Sequence, residues 1–167
     1  MRIAIKWGVI LGVSVCLWTL AIHAMGFYTT RIAAGQRADV VALILPILAI
    51  VFALMERRRV TGVLTLGQAV GTGLVVGLVS IPITAGFLWY YHHSINPRWV
   101  DYLVDYKRQQ MTAAGATADA IAKAEADQRG SATDQAQLGG AIVGTAIISL
   151  VIAFVAGLAL RRSRPIT

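Results

Sequence analysis

Residues 68–91 read QAVGTGLVVGLVSIPITAGFLWYY, from Gln68 to Tyr91, without an Asp, Glu, Lys or Arg. A helix rises about 1.5 Å per residue, so this stretch can cross a hydrocarbon core about 30 Å thick. It ends in Trp89-Tyr90-Tyr91, rings that favour the headgroup level, where one part of the ring is in an apolar phase and the other is wet. Three further runs have the same character: Trp7 to Tyr28, Val40 to Met55 and Leu138 to Leu160. The second is short and holds Pro46, and it is expected to borrow a turn from Arg37 to Asp39, with Arg37 snorkelling outward.

Composition agrees with the runs. The 167 residues are 57% hydrophobic and 14% charged, too little charge to cover a water-facing exterior. Mean hydropathy is +0.68. The expected fold class is therefore all-α: a polytopic membrane protein, a four-transmembrane-helix bundle forming one domain over residues 1–167. Its spans fall at about 7–28, 40–55, 68–91 and 138–160, with an external amphipathic helical segment at 92–137. The net charge of +7 would suggest nucleic acid in a soluble chain, but the arginines sit at the ends of apolar runs, so no nucleic-acid partner is expected. Cys16 has no partner cysteine, which excludes a disulfide framework and leaves a small buried hydrophobe.

A cleaved signal peptide competes for the first run. Ile22-His23-Ala24 is a poor cleavage site and the apolar stretch is long, so a retained helix is expected; Val15 before Cys16 also disfavours a lipoprotein anchor. Four spans put Arg2, Lys6, Arg57, Arg58, Arg59, Arg161, Arg162 and Arg164 on one side, opposed there by Glu56 alone. The other side carries seven basic and seven acidic residues. The positive-inside rule makes the first side cytoplasmic, with both termini inside a bacterial inner membrane and residues 92–137 outside.

Between the last two spans, Ile95-Asn96-Pro97 reads as a turn. From Arg98 to about Ala113, Trp99, Tyr102, Leu103 and Tyr106 recur at helical spacing, an apolar face suited to the outer leaflet, to the bundle or to docking a partner. Gly115 breaks this helix, and Thr117 caps an alanine-rich one ending near Gly130. Ser131 reads as the N-cap of the last helix.

Glycines recur at packing intervals: Gly8 with Gly12, Gly67 with Gly71, Gly73 with Gly77, and Gly140 with Gly144. In lipid, helices associate through close backbone approach, which such spacing permits, within the chain or in a homodimer. Pro82 with Gly86 is expected to bend the third span.

The apolar runs carry no central charge, no aspartate pair and no HExxH, so neither an ion-coupled transporter nor an intramembrane protease is indicated. His23 lies one to two turns below the outer interface, where a neutral imidazole bonded to a neighbouring helix or carbonyl is the plain reading and a proton-sensing or ligand role the sharper one. His92 and His93 stand at the outer mouth of the third span as interfacial anchors; a metal site joining His23, one of this pair and an aspartate is the alternative. Gln68, Thr72, Ser80, Thr84, Thr145 and Ser149 are expected to bond between helices or back to carbonyls. No catalytic residue, cofactor or metal is expected.

The opening Lys6-Trp7-Gly8-Val9-Ile10-Leu11-Gly12, the start of the third span at Leu66-Gly67-Gln68-Ala69, and Ile95-Asn96-Pro97 followed by Asp101-Tyr102-Leu103 resemble a family of small bacterial inner-membrane proteins catalogued as a domain of unknown function. The resemblance covers nearly the whole chain and implies the same architecture, with no activity to carry over. The leading functional expectation is a non-enzymatic bundle, a scaffold, lipid binder or accessory subunit, with the lipid bilayer and a second copy or a membrane-protein partner around it. Transport or permeation of a small solute or lipid is the alternative.

Overall fold

In the computed structural model, which describes residues 1–160, proline and glycine punctuate the helices. Helix α1 covers Arg2–Ala24. Gly26 follows at φ +73°, a left-handed conformation that a Cβ disfavours, and turns the chain back. Helices α2 (Ile32–Ala42) and α3 (Ile44–Thr61) are parted only at Leu43. Pro46 is the cause: it has no N–H, and its ring crowds the carbonyl four residues back, that of Ala42. Leu43 donates instead to the Val40 carbonyl at 3.2 Å, a tighter turn.

The second membrane-length stretch thus runs from Ile32 to Thr61, beyond the expected 40–55 at both ends. Counting apolar residues ended the span at Asp39 and Glu56, but both charges lie within the helical stretch. The other three membrane-length helices are Arg2–Ala24, Leu66–Ile95 and Gln135–Leu160.

Helix α4 (Leu66–Tyr90) starts at a capping box, in which the Gln68 N–H donates to Thr65 Oγ1 and the Thr65 N–H to Gln68 Oε1. It runs through Pro82 and passes into a π-helical turn, Tyr91–Ile95, closed by the Asn96 N–H on the Tyr91 carbonyl at 2.8 Å. After Pro97 come α5 (Trp99–Ala113), the break at Gly115, and α6 (Ala118–Ser131), capped by Thr117. Helix α7 covers Asp134–Leu160. Its cap differs from expectation: Ser131 still belongs to α6 and donates to the Gln128 carbonyl, while Thr133 Oγ1 accepts from the Ala136 N–H. Arg161, Arg162 and Arg164 of the expected cytoplasmic cluster lie outside the described residues.

The most extensive pairings are α1 with α4 and α4 with α7, and α3 closes against all three. Close approach at glycine makes them. A Cβ on Gly8 would stand 2.6 Å from Val79 Cβ, one on Gly12 2.9 Å from Ile83 Cβ, one on Gly73 2.3 Å from Ala153 Cβ and one on Gly77 2.4 Å from Ser149 Oγ. Gly157, outside the expected set, approaches Ala69 in the same way, at 2.7 Å. By contrast, Gly67, Gly71, Gly140 and Gly144 have nothing within 4 Å of that position and do not pack within the chain. Turning the face of Gly73 and Gly77 toward Ser149 and Ala153 leaves the other glycine faces of α4 and α7 outward.

The fully buried core gathers toward the end that holds Lys6 and Glu56. Ile50, Ala53, Leu54, Leu64, Ala69, Val76 and Ala153 are all excluded from the surface there. Lys6 Nζ reaches Glu56 at 2.5 and 2.7 Å, Trp7 Nε1 donates to the same carboxylate at 2.7 Å, and the Trp7 ring stacks on Phe52. Arg57 donates to Thr72 Oγ1 at 2.7 Å, so one arginine of this basic end turns into the bundle. Around the helices, Leu17, Val40 and Val155 are exposed at 62%, 67% and 60%, an apolar exterior for which lipid is the matching solvent.

Candidate functional site

Opposite the basic end, the helices separate and polar side chains collect between them. His23 and Asp39 stand seventeen residues from Lys6 and Glu56 respectively, which is about 25 Å of helix at about 1.5 Å per residue. They therefore sit at one level, near the far boundary of a core about 30 Å thick. Gly26 sends the chain back over this level, and the π turn does the same from the α4 side.

Tyr91, 3% exposed, is the hub. Its hydroxyl lies 2.8 Å from His23 Nδ1 and takes a hydrogen bond from Asn96 Nδ2 at 3.3 Å. The hydroxyl thus links His23 and Asn96 through one oxygen, which can both donate and accept. The wider fifth-residue turn at Tyr91–Ile95 and the non-helical backbone of Asn96 before Pro97, at φ −133° and ψ 63°, place both side chains inward. Beside them, the Tyr28 hydroxyl donates to Asp39 Oδ1, and the Tyr28 and Tyr91 rings meet edge to face at 6.5 Å.

A cavity of about 320 Å³ opens among these groups, lined by Tyr28, Asp39, Tyr91, His92, Asn96, Trp99 and Gln137 with Val15, Thr19, Leu88 and Leu103. A second, of about 230 Å³, continues between the helices, lined by Leu11, Ala42, Leu43, Pro46, Ser80, Thr84, Ala141, Thr145, Ile148 and Ser149. The two share Val15, Asp39 and Leu88. The result is a cleft with a polar, aromatic mouth and a largely apolar interior. Ser80 and Thr84 return their hydroxyls to helix carbonyls, at 2.8 and 3.0 Å, whereas Ser149 Oγ is buried without a hydrogen-bond partner in the structure.

The expected histidines separate. His23 joins Tyr91, and His92 stacks on Trp99 with ring centroids 4.3 Å apart and lines the cleft. His93 faces away: its Nδ1–H donates to the Trp89 carbonyl at 2.8 Å and its ring stacks on Trp89. Among the described residues, no three His, Cys, Asp or Glu side chains gather as metal ligands, so the geometry does not build the mixed histidine–aspartate site.

The aromatic face of α5 also divides. Trp99 and Leu103 turn into the cleft. Tyr102 and Tyr106 line an outer groove of about 450 Å³ against residues 29–33, and Val104 is the residue of α5 that is fully buried. Helix α6 buries no residue and is held to α5 by ion pairs. Arg108 engages Glu125 through Nε and, at 2.9 Å, through Nη2, while Arg129 meets Asp101 at 3.0 Å. The Arg108 hydrogen bonds hold the Glu125 carboxyl below its ordinary value and raise the guanidinium in turn.

Tyr28, Asp39, Tyr91 and Asn96 were not singled out from sequence. Asp39 reads as the end of a turn borrowed by the second span, Tyr91 as one ring of an interfacial belt and Asn96 as a pre-proline turn residue. A lone acid between Ala38 and Val40-Val41 was the one available hint.

A family model described as a protein of unknown function (DUF4199) matches residues 6–162. No curated protein and no solved structure matches the chain.

Proposed function

The chain belongs to the DUF4199 family of unknown function, and from its own geometry we propose a non-enzymatic membrane bundle that binds an amphiphile, a lipid or lipid-like molecule, in the cleft opposite its basic end. One observation carries this reading: a polar, aromatic mouth and an apolar slot meet at Val15, Asp39 and Leu88. Ligand sites typically measure about 300–1,000 Å³, mostly apolar with a few convergent polar groups, and the mouth cavity of about 320 Å³ fits that class. Along α7 the cleft extends from Gln137 to Ser149, about 18 Å at the helical rise, close to the depth of one leaflet.

The non-enzymatic part rests on how the polar groups are engaged. His23 is bonded to Tyr91, and the Asp39 carboxylate accepts from Tyr28, so among the described residues neither is hydrogen-bonded to a serine, threonine or cysteine. The transport alternative has less support, because Ile50, Leu54 and Val76 fill the basic end without exposure. Our reading includes a bacterial inner membrane, with the basic end cytoplasmic and residues 92–137 outside, supported by the charge asymmetry. It also includes an accessory or scaffold role through a second copy or a membrane-protein partner, supported by the outward faces of Gly67, Gly71, Gly140 and Gly144.

Purification in a mild maltoside detergent, followed by native mass spectrometry and extraction of bound molecules, tests the proposal. We expect about one retained amphiphile per chain, lost when Leu88→Trp fills the junction of the two cavities. A chain that carries nothing, with Leu88→Trp indistinguishable from the parent, would remove the reading.

A further inference from the structure

We propose that the cleft selects amphiphiles with a cationic head, an amine or quaternary ammonium, which Asp39 and the surrounding rings recognise. This rests on the amphiphile-binding reading and adds the chemistry of the head group. Asp39 lines both cavities and, among the described residues, is the one Asp, Glu, Lys or Arg in either lining. Tyr28 donates to its Oδ1, which leaves the carboxylate with further acceptor capacity, and no lysine or arginine of the described residues is ion-paired with it. Asp39 is exposed at the mouth, so its carboxylate is open to a positively charged ligand that enters there. The neighbouring cavity can admit one.

The rings around the carboxylate suit the same ligand. Tyr28 and Tyr91 meet edge to face, Tyr91 is edge-on to His92, and His92 stacks on Trp99. Aromatic faces carry negative quadrupole density, and together with a carboxylate they are the usual surroundings for an alkylammonium group. The slot beyond Leu88 then takes the tail. The preference would run against the overall field of the protein, since a net charge of +7 draws anions without discrimination. Selectivity for a cation therefore has to come from this one carboxylate and its rings.

The test uses the full chain in dodecyl maltoside micelles doped at one mole fraction with dodecyltrimethylammonium or dodecyl sulfonate, with occupancy read by native mass spectrometry. The tails are identical, and the maltoside itself is the neutral head. We expect the ammonium compound to be bound at least tenfold more than either other head. Asp39→Asn, which keeps the shape and an acceptor for Tyr28, should abolish that preference, read as the ratio of ammonium to maltoside occupancy in the same variant. Trp99→Leu, at the rim of the cleft, should reduce it several-fold with the carboxylate intact, which covers the case of an unstable Asp39→Asn. Equal occupancy by all three heads, a preference for the sulfonate, or an unchanged preference in both variants overturns cation selection and leaves amphiphile binding standing. Absence of every adduct overturns both.

Discussion

Tyr91 and His23 share a 2.8 Å hydrogen bond across 68 residues of chain. It ties the far end of α1 to the turn that follows α4, and Asn96 adds a third partner by donating to the same hydroxyl. The rings also meet edge to face at 5.4 Å, so removing either partner strips both a bond and a contact. This pair closes one side of the cleft, and Tyr28 with Asp39 closes the other.

His23→Ala and Tyr91→Phe should each lower stability by about 1–3 kcal/mol, the usual cost of leaving a buried polar partner unsatisfied. Because both remove one shared bond, the double variant should lose less than the two single losses combined. Reversible unfolding in mixed micelles measures the cycle. Strictly additive losses would mean that the bond contributes nothing.

Glycine substitutions should sort by geometry rather than by spacing in the sequence. Gly73→Ala drives a methyl to 2.3 Å from Ala153 Cβ and is expected to cost about 1–3 kcal/mol. Gly140→Ala meets nothing within 4 Å and should be neutral or stabilising by about 0.5–1 kcal/mol through helix propensity. Thermal melts of the two variants in one detergent decide the matter. Similar shifts for both would refute the assigned packing.

Orientation is open to thiol labelling in a Cys16→Ala background. Gly115→Cys, at the break between α5 and α6, should react with a membrane-impermeant maleimide in intact cells. Thr61→Cys, at the basic end, should react only after lysis. The reverse pattern would invert the proposed topology.

The α5–α6 hairpin should depend on pH. Glu125 has its folded value lowered from 4.5 by the Arg108 hydrogen bonds, so its contribution is complete above that value. It is lost as pH falls through the lower folded value, when the carboxylate takes up a proton. Amide exchange in α6, corrected for intrinsic rates, should be level above about pH 5 and several-fold faster in acid. Glu125→Gln should exchange fast throughout; a variant that kept the acid-dependent step would assign that step to another group.

Much of the architecture follows from composition along the chain. Four apolar stretches, the aromatic residues at their ends and the glycine and proline breaks need no tertiary information, since hydropathy and backbone sterics are local properties. The capping box at Thr65 and Gln68 is equally local but straddles the edge of the apolar run, which starts at Gln68. The bounds of the second span are less legible, because Asp39 and Glu56 end the apolar run while the helical stretch, parted only at Leu43, extends from Ile32 to Thr61.

Which glycine meets which neighbour is another kind of information. Gly73 and Gly67 have the same four-residue signature, yet only the rotation of α4 against α7 makes one a contact and leaves the other open. The cleft is of that kind as well. Tyr28, Asp39, Tyr91 and Asn96 come from three separate turns and helices, and their convergence depends on the directions in which a reversal at Gly26 and a π turn before Pro97 point their side chains. A bilayer prescribes where a chain must be apolar; it does not prescribe which polar groups meet at its boundary, and helix packing alone makes that choice.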